Sequence, residues 1–199
     1  LGAKRTDDGS WLPALTRDDM ISGIHDNLRE LGLDQLEVVN LRPYGTGADP
    51  AEGSLADKLE VMAELQQQGL IKHVGLSNVT ATQLAEARTY TDVVCVQNNY
   101  NVVHRDDDAF IYLLAEQGIA YVPFYPLGGF TPVQSATLER VAADHGVTAL
   151  QAAQAWLLAR SPNVLLISGT SQRAHLRENL AVGDIELSAE ARAELDAFA

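Results

Sequence analysis

Cysteine is nearly absent: Cys95 is the only one among 199 residues. One thiol closes no internal disulfide, so no cross-linked framework exists and stability rests on a packed core. Cys95 lies in the apolar run DVVCVQ, where its reading is a small buried hydrophobe. Positive charge is scarce too. Fourteen Lys and Arg face 27 Asp and Glu, a net charge of −13. Nothing supplies the clustered cations that contacts to a phosphate backbone require, which argues against a nucleic-acid partner. The same charge suits a soluble protein held apart from its neighbours. No apolar run approaches the roughly 20 residues of a membrane span, and the first residues lack the charged-then-apolar pattern of a signal peptide. No membrane partner is expected, and the cytoplasm is the expected compartment.

Several common chemical signatures are also missing. A dinucleotide-binding GxGxxG begins at Gly45 and Gly47, but Pro50 occupies the third glycine's place and no helix starts there. GLSNV and GTSQR lack the second glycine of a nucleophile elbow. HRDDDAF resembles the start of a kinase catalytic loop, without the Asn that should follow or a glycine-rich loop before it. Its acids, Asp106 to Asp108, read as a helix N-terminus and not as a metal site. His25, His73 and His145 stand alone, with no second ligand at metal spacing. No metal is expected. Trp11 and Trp156 read as packing residues.

What the chain does have is alternation. LEVVNL, IKHVGLS, DVVCVQ, IAYVPF and NVLLIS read as strands, with a further stub at Leu1 to Ala3. Between them lie helical stretches: TRDDMISGIHDNLRELG capped by Thr16, SLADKLEVMAELQQQG capped by Ser54 and closed by Gly69, TATQLAEAR capped by Thr80, and DDDAFIYLLAEQG. Two more follow, Ser135 to His145 and Thr148 to Arg160, and QRAHLRENLAV comes last. Met20, Ile24, Leu28 and Leu31 form the apolar side of the first helix. Alternating strands and helices mean βαβ units and a parallel sheet. With 46% hydrophobic residues and no linker, the 199 residues read as a single domain. An open doubly wound sheet and a closed (β/α)8 barrel both fit. Polar residues end strand after strand, at Asn40, Ser77 with Asn78, Gln97 with Asn98, and Thr170 with Ser171. A barrel gathers such ends on one rim, which favours the (β/α)8 TIM barrel.

GLIKHVGLSN, VQNNYNVVHR, YVPFYPLGG and ISGTSQRAHLRENLA resemble, in order and at compatible spacing, segments of the aldo-keto reductases. LTRDDMISGIHDNLRELGLDQLEVVNL resembles their third helix and fourth strand, so the resemblance covers essentially the whole chain. It implies an α/β TIM barrel, incomplete at its N-terminus, with the first strands and most of the third absent. It implies an NAD(P)H-dependent oxidoreductase that reduces an aldehyde or ketone, a small-molecule carbonyl substrate, to an alcohol.

The resemblance also assigns roles. Ser77, Asn78 and Gln97 would hold the nicotinamide carboxamide, and Phe124 would stack on its ring where Tyr is commoner. Tyr125, Leu127 and Gly129 would follow along the pyrophosphate. Gly169, Thr170, Ser171 and His175 would surround the 2′-phosphate of NADP, with Glu178 and Asn179 at the adenine. His175 stands where many members carry Arg, so discrimination against NAD should be softer. Asn40 stands where the family's fourth strand commonly ends in a catalytic His; it can donate a hydrogen bond but not a proton. The tetrad's Asp, Tyr and Lys have no counterpart in this chain: Leu1 and Gly2 match the residues after the Lys, and Lys4 reads as a surface lysine. The alternatives to an enzyme are a catalytically degenerate nucleotide-binding or interaction module, and a truncated inactive product. Open sheet edges would also favour oligomers.

Overall fold

A computed structural model describes residues 1–43, 49–128 and 135–197. The chain forms two compact units, Leu1–Asn98 and Asn99–Ala199.

The first unit opens on a β-hairpin, not on a lone strand stub. Strand β1 (Gly2–Arg5) pairs antiparallel with β2 (Trp11–Ala14). Asp8 Oδ1 accepts from the Thr6 hydroxyl and from Ser10 N, and Gly9 takes the left-handed φ of +85° that the turn needs. The sequence carries the Asp-Gly turn signal, but no alternation of apolar residues marks the arms. The strict succession of strand and helix therefore fails at the front. Lys4 lies exposed on β1, as a surface lysine should.

Through the rest of the first unit the succession holds. Helix α1 (Arg17–Leu31) starts where Thr16 accepts from Asp19 N and stops at Gly32, left-handed at φ 65°. Met20, Ile24 and Leu28 are buried, whereas Leu31 in the last turn is 61% exposed. Strands β3 (Leu36–Leu41), β4 (Ile71–Ser77) and β5 (Val93–Gln97) run parallel, joined by α2 (Ala56–Gln67) and α3 (Ala81–Ala87). Thr80 caps α3 in a capping box with Gln83. Ser54 is not the N-cap of α2; Leu55 is, and the Glu86 carboxylate of α3 accepts from Leu55 N (2.8 Å) and from the Ser54 hydroxyl. A charge from a neighbouring helix replaces the local cap and suits the positive end of α2.

Alternation along each strand gives the sheet two faces. Val39, Leu41, Val74, Leu76 and Val96 lie on one face, all buried, as are Leu59, Met62 and Leu65 of α2. The other face carries Val38, Asn40, His73, Gly75, Ser77, Cys95 and Gln97.

The second unit holds α4 (Asp108–Glu116), β6 (Ala120–Tyr121), α5 (Ala136–Asp144), α6 (Ala149–Arg160), α7 (Arg173–Ala181) and α8 (Ala189–Asp196). Two expected strands shrink. Tyr121 N donates to Asn163 O and Leu165 N to Tyr121 O, both at 2.9 Å, a bridge and not a ladder. Pro123 has no N–H to continue it. The core centres on Trp156, with Tyr100 stacked on it at 5.9 Å and Tyr121 edge-on to Tyr100 at 5.8 Å. The guanidinium groups of Arg105 and Arg160 lie 5.3 and 5.2 Å from the Trp156 ring. Asp108 binds both arginines, and Asp196 accepts from Arg160 and from the Trp156 indole, fastening α8 to α6. Among the described residues no helix is long and apolar enough to cross a membrane, and no His, Cys, Asp and Glu cluster could hold a metal ion.

Candidate active site

Two polar rungs cross the open face of the first unit's sheet. In one, Asn40 of β3 lies beside Gly75 of β4, and Gly75 beside Cys95 of β5. Gly75 has no side chain to fill the middle, so Asn40 and Cys95 meet over it. The Cys95 thiol donates to Asn40 Oδ1 at 3.3 Å. Cys95 is half-buried, and burial pushes its pKa up, which keeps it a thiol at neutral pH.

The next rung, at the strands' C-terminal ends, holds Ser77 and Gln97, with Arg42 just past β3. Arg42 Nη1 donates to Ser77 Oγ at 3.3 Å. Asn40 Nδ2 donates to Gln97 Oε1 at 3.1 Å, which ties the two rungs together. Gln97 Nε2 makes no hydrogen bond among the described residues. Asn78 is fully buried with a left-handed φ of 60°, a conformation that Asn tolerates. Its backbone N–H donates to Gln97 O and its Nδ2 to Asp49 O, each at 2.9 Å. Asn98 is a structural amide: its Oδ1 accepts from Val79 N and its Nδ2 donates to Val79 O. Four of the expected residues, Asn40, Ser77, Asn78 and Gln97, thus gather at adjoining strand ends.

The second unit presents two further groups. Phe124 is half-buried and meets Tyr125 edge-on at 5.1 Å. Tyr125 has a left-handed φ of 54°, and its carbonyl accepts from Asn101 Nδ2 and Gly128 N, which makes a tight turn around Leu127. Gly129 lies outside the described residues. The other group precedes α7. Gly169, Thr170 and Ser171 are exposed, a Cβ at Gly169 would meet nothing, and Thr170 Oγ1 accepts from Gln172 N. The first turn of α7 has no acid, and His175 Nδ1 lies 3.5 Å from Thr170 Oγ1. Ser168 Oγ is buried there without a partner among the described residues. Glu178 offers its backbone carbonyl to Gln151, while Asn179 accepts from Gln154 and donates to Ser168 O. The Asn179 amide is therefore engaged at both ends, its oxygen holding α7 to α6 and its nitrogen holding the segment that leads into α7.

A family model described as the aldo/keto reductase family matches residues 1–199. The chain belongs to the aldo/keto reductase family. It is 61% identical over 197 residues to pyridoxine 4-dehydrogenase of Escherichia coli K12, covering 98% of this chain and 69% of that protein. It is 35% identical to an uncharacterized oxidoreductase of Schizosaccharomyces pombe, covering 98% of this chain and 62% of that one. Among solved structures, a thermostable aldo-keto reductase in complex with the inhibitor epalrestat superposes with a TM-score of 0.80 at 33% identity, over 94% of this chain and 68% of that one. The expected fold class, an α/β TIM barrel of the aldo-keto reductase kind, is borne out.

Three residues of this aldo/keto reductase's polar face were not expected at the site: Gly75, Cys95 and Arg42. A signal existed for two of them. Gly75 lies two residues before Ser77 and Cys95 two before Gln97, so both share the face of the expected residues.

Proposed function

We propose that this aldo/keto reductase is an NADPH-dependent carbonyl reductase whose substrate is an aromatic aldehyde of the pyridoxal type. The substrate class rests on the E. coli relative, whose name places dehydrogenation at the 4-position of pyridoxine; the reverse reaction consumes the aldehyde. The observation that carries the reading is the Asn40–Gln97 hydrogen bond, which sets one amide beside another at adjoining strand ends.

The side chains fit a nicotinamide dinucleotide. Gln97 has its oxygen fixed by Asn40 and its amino group open, the arrangement that receives a carboxamide oxygen. Ser77 and Asn78 flank it. Phe124 offers a π-face to the ring, and Tyr125, Leu127 and Gly129 accompany the pyrophosphate. The acid-free first turn of α7, with the orphaned Ser168 hydroxyl beside Gly169, Thr170 and Ser171, suits an anion. His175 lies beside Thr170 in that first turn, and NAD is the weaker alternative. Glu178 lies at the adenine, and Asn179 acts by holding α7. When bound, the cofactor supplies the hydride. Asn40 Nδ2 carries two hydrogens; Gln97 takes one, and the second donates to the substrate carbonyl, stabilising the charge that develops on its oxygen. An amide releases no proton, so an acid other than Asn40 completes the alcohol.

Titrating NADPH while following protein fluorescence tests the cradle. Gln97→Ala is expected to weaken binding about tenfold, the scale of one or two lost hydrogen bonds. An unchanged dissociation constant would remove Gln97 from the cofactor.

A further inference from the structure

We propose that Cys95 and Gly75 position the Asn40 amide, as the closed end of a hydrogen-bonded chain that runs from the Cys95 thiol through Asn40 to Gln97. This rests on the reading of Asn40 as the donor to the substrate carbonyl.

An asparagine side chain has nearly the same shape when its oxygen and nitrogen exchange places, so only its partners select the orientation. Here the two partners agree. Cys95 presents a hydrogen to Oδ1 at 3.3 Å, and Gln97 presents an oxygen to Nδ2 at 3.1 Å. In the exchanged orientation Asn40 Oδ1 would face Gln97 Oε1, two acceptors with no hydrogen between them, unless the Gln97 amide exchanged as well. Nδ2 would then point at sulfur, a weak acceptor. The chain therefore holds the donor hydrogens at the strand-end side, where a carbonyl substrate can reach them.

Gly75 makes the meeting sterically available. It lies between Asn40 and Cys95 on the same rung, and a Cβ built on it would fall 1.9 Å from Asn40 Oδ1 and 2.6 Å from Cys95 Sγ. Any other residue there would drive the amide and the thiol apart. Burial of Cys95 keeps the hydrogen on sulfur at neutral pH, and a thiolate would have none to donate. Cys95 touches neither substrate nor cofactor in this scheme. It is a positioning residue.

The hydrogen bond can be read without turnover. The S–H stretching band of Cys95, isolated as the infrared difference between wild type and Cys95→Ser, is expected to move to higher frequency in Asn40→Ala, as the thiol loses its acceptor. With NADPH and pyridoxal as the probe, Cys95→Ala should lower kcat about three- to tenfold, the scale of one hydrogen bond. Its NADPH dissociation constant should stay within about twofold, and Cys95→Ser, which keeps a donor, should restore most of the loss. In an Asn40→Ala background Cys95→Ala should add nothing. A band unmoved by Asn40→Ala overturns the proposal, as does a Cys95→Ala variant with wild-type kcat or a Ser variant that falls as far as Ala. Wild-type kcat in Asn40→Ala overturns instead the functional reading, and the infrared band still decides whether the chain exists.

Discussion

An amide at residue 40 can do half of what an imidazole there would do. It donates to an oxygen and is held by Gln97 and Cys95, but it has no ionisation near neutral pH. Asn40→His is therefore expected to keep activity and to acquire a pH dependence near the ordinary imidazole value, roughly 6.5. A kcat/KM profile compared with wild type checks this, and superimposable profiles would count against a role for residue 40 at the reacting oxygen. Much of this candidate site is legible residue by residue, because Ser77, Asn78, Gln97 and Asn40 each lie at or next to the C-terminal end of a strand. The apolar run around Cys95 makes it a small buried hydrophobe, and half of that reading holds: burial raises its pKa, yet its sulfur faces Asn40. An apolar run records that a strand is covered without telling which of its faces a given residue shares.

At the scale of elements, β4 matters most for what it omits. Gly75→Ala should displace Asn40 or Cys95, cost about 1–3 kcal/mol of stability through overpacking, and lower kcat more than it weakens NADPH binding. Thermal melts with steady-state kinetics would show it, and a variant with wild-type values in both would mean that the sheet yields at little cost. The helices of the second unit depend on a different device. Burial pushes the Asp108 carboxyl up, but hydrogen bonds from Tyr100 and Arg105 and the charge of Arg160 outweigh it, so its pKa lies below the ordinary value. A depressed carboxylate stabilises the fold at neutral pH, and that contribution is lost as the pH falls through the depressed value, below about 4. Asp108→Asn is thus expected to lower Tm at pH 7 and to differ less from wild type near about pH 3. An equal gap at both pH values would argue that the charge is not what counts. Helix α8 escapes the sequence reading although Ser188 caps it, accepting from Ala191 N, and Ala191 and Leu195 are buried. Helix α7 is legible from its motif, yet it buries no residue and is held through Asn179 and Glu178. Strand lengths are the least legible, since LLIS in the last expected strand is apolar but pairs only around Val164.

For the whole molecule, the family follows from residues 1–199, and the chain spans 69% of the E. coli relative and 62% of the S. pombe one. The fold class is readable because helix and strand periods alternate from Thr16 to Tyr121. The hairpin in front is not, because no apolar–polar alternation marks its arms and its Trp11 and Leu12 are exposed. Two proposed functions meet at neighbouring strand ends, cofactor holding at Gln97 and carbonyl activation at Asn40. The most direct test is single-turnover reduction of pyridoxal by the NADPH-loaded protein, comparing wild type with Asn40→Ala. A well-placed donor of this kind is worth on the order of 10²–10³ in rate, so hydride transfer should slow by about that factor, while NADPH affinity changes by no more than about the tenfold that Gln97 would lose without its partner. Hydride transfer at the wild-type rate in Asn40→Ala would contradict the account, leaving the amide as no more than a strand-end hydrogen bond.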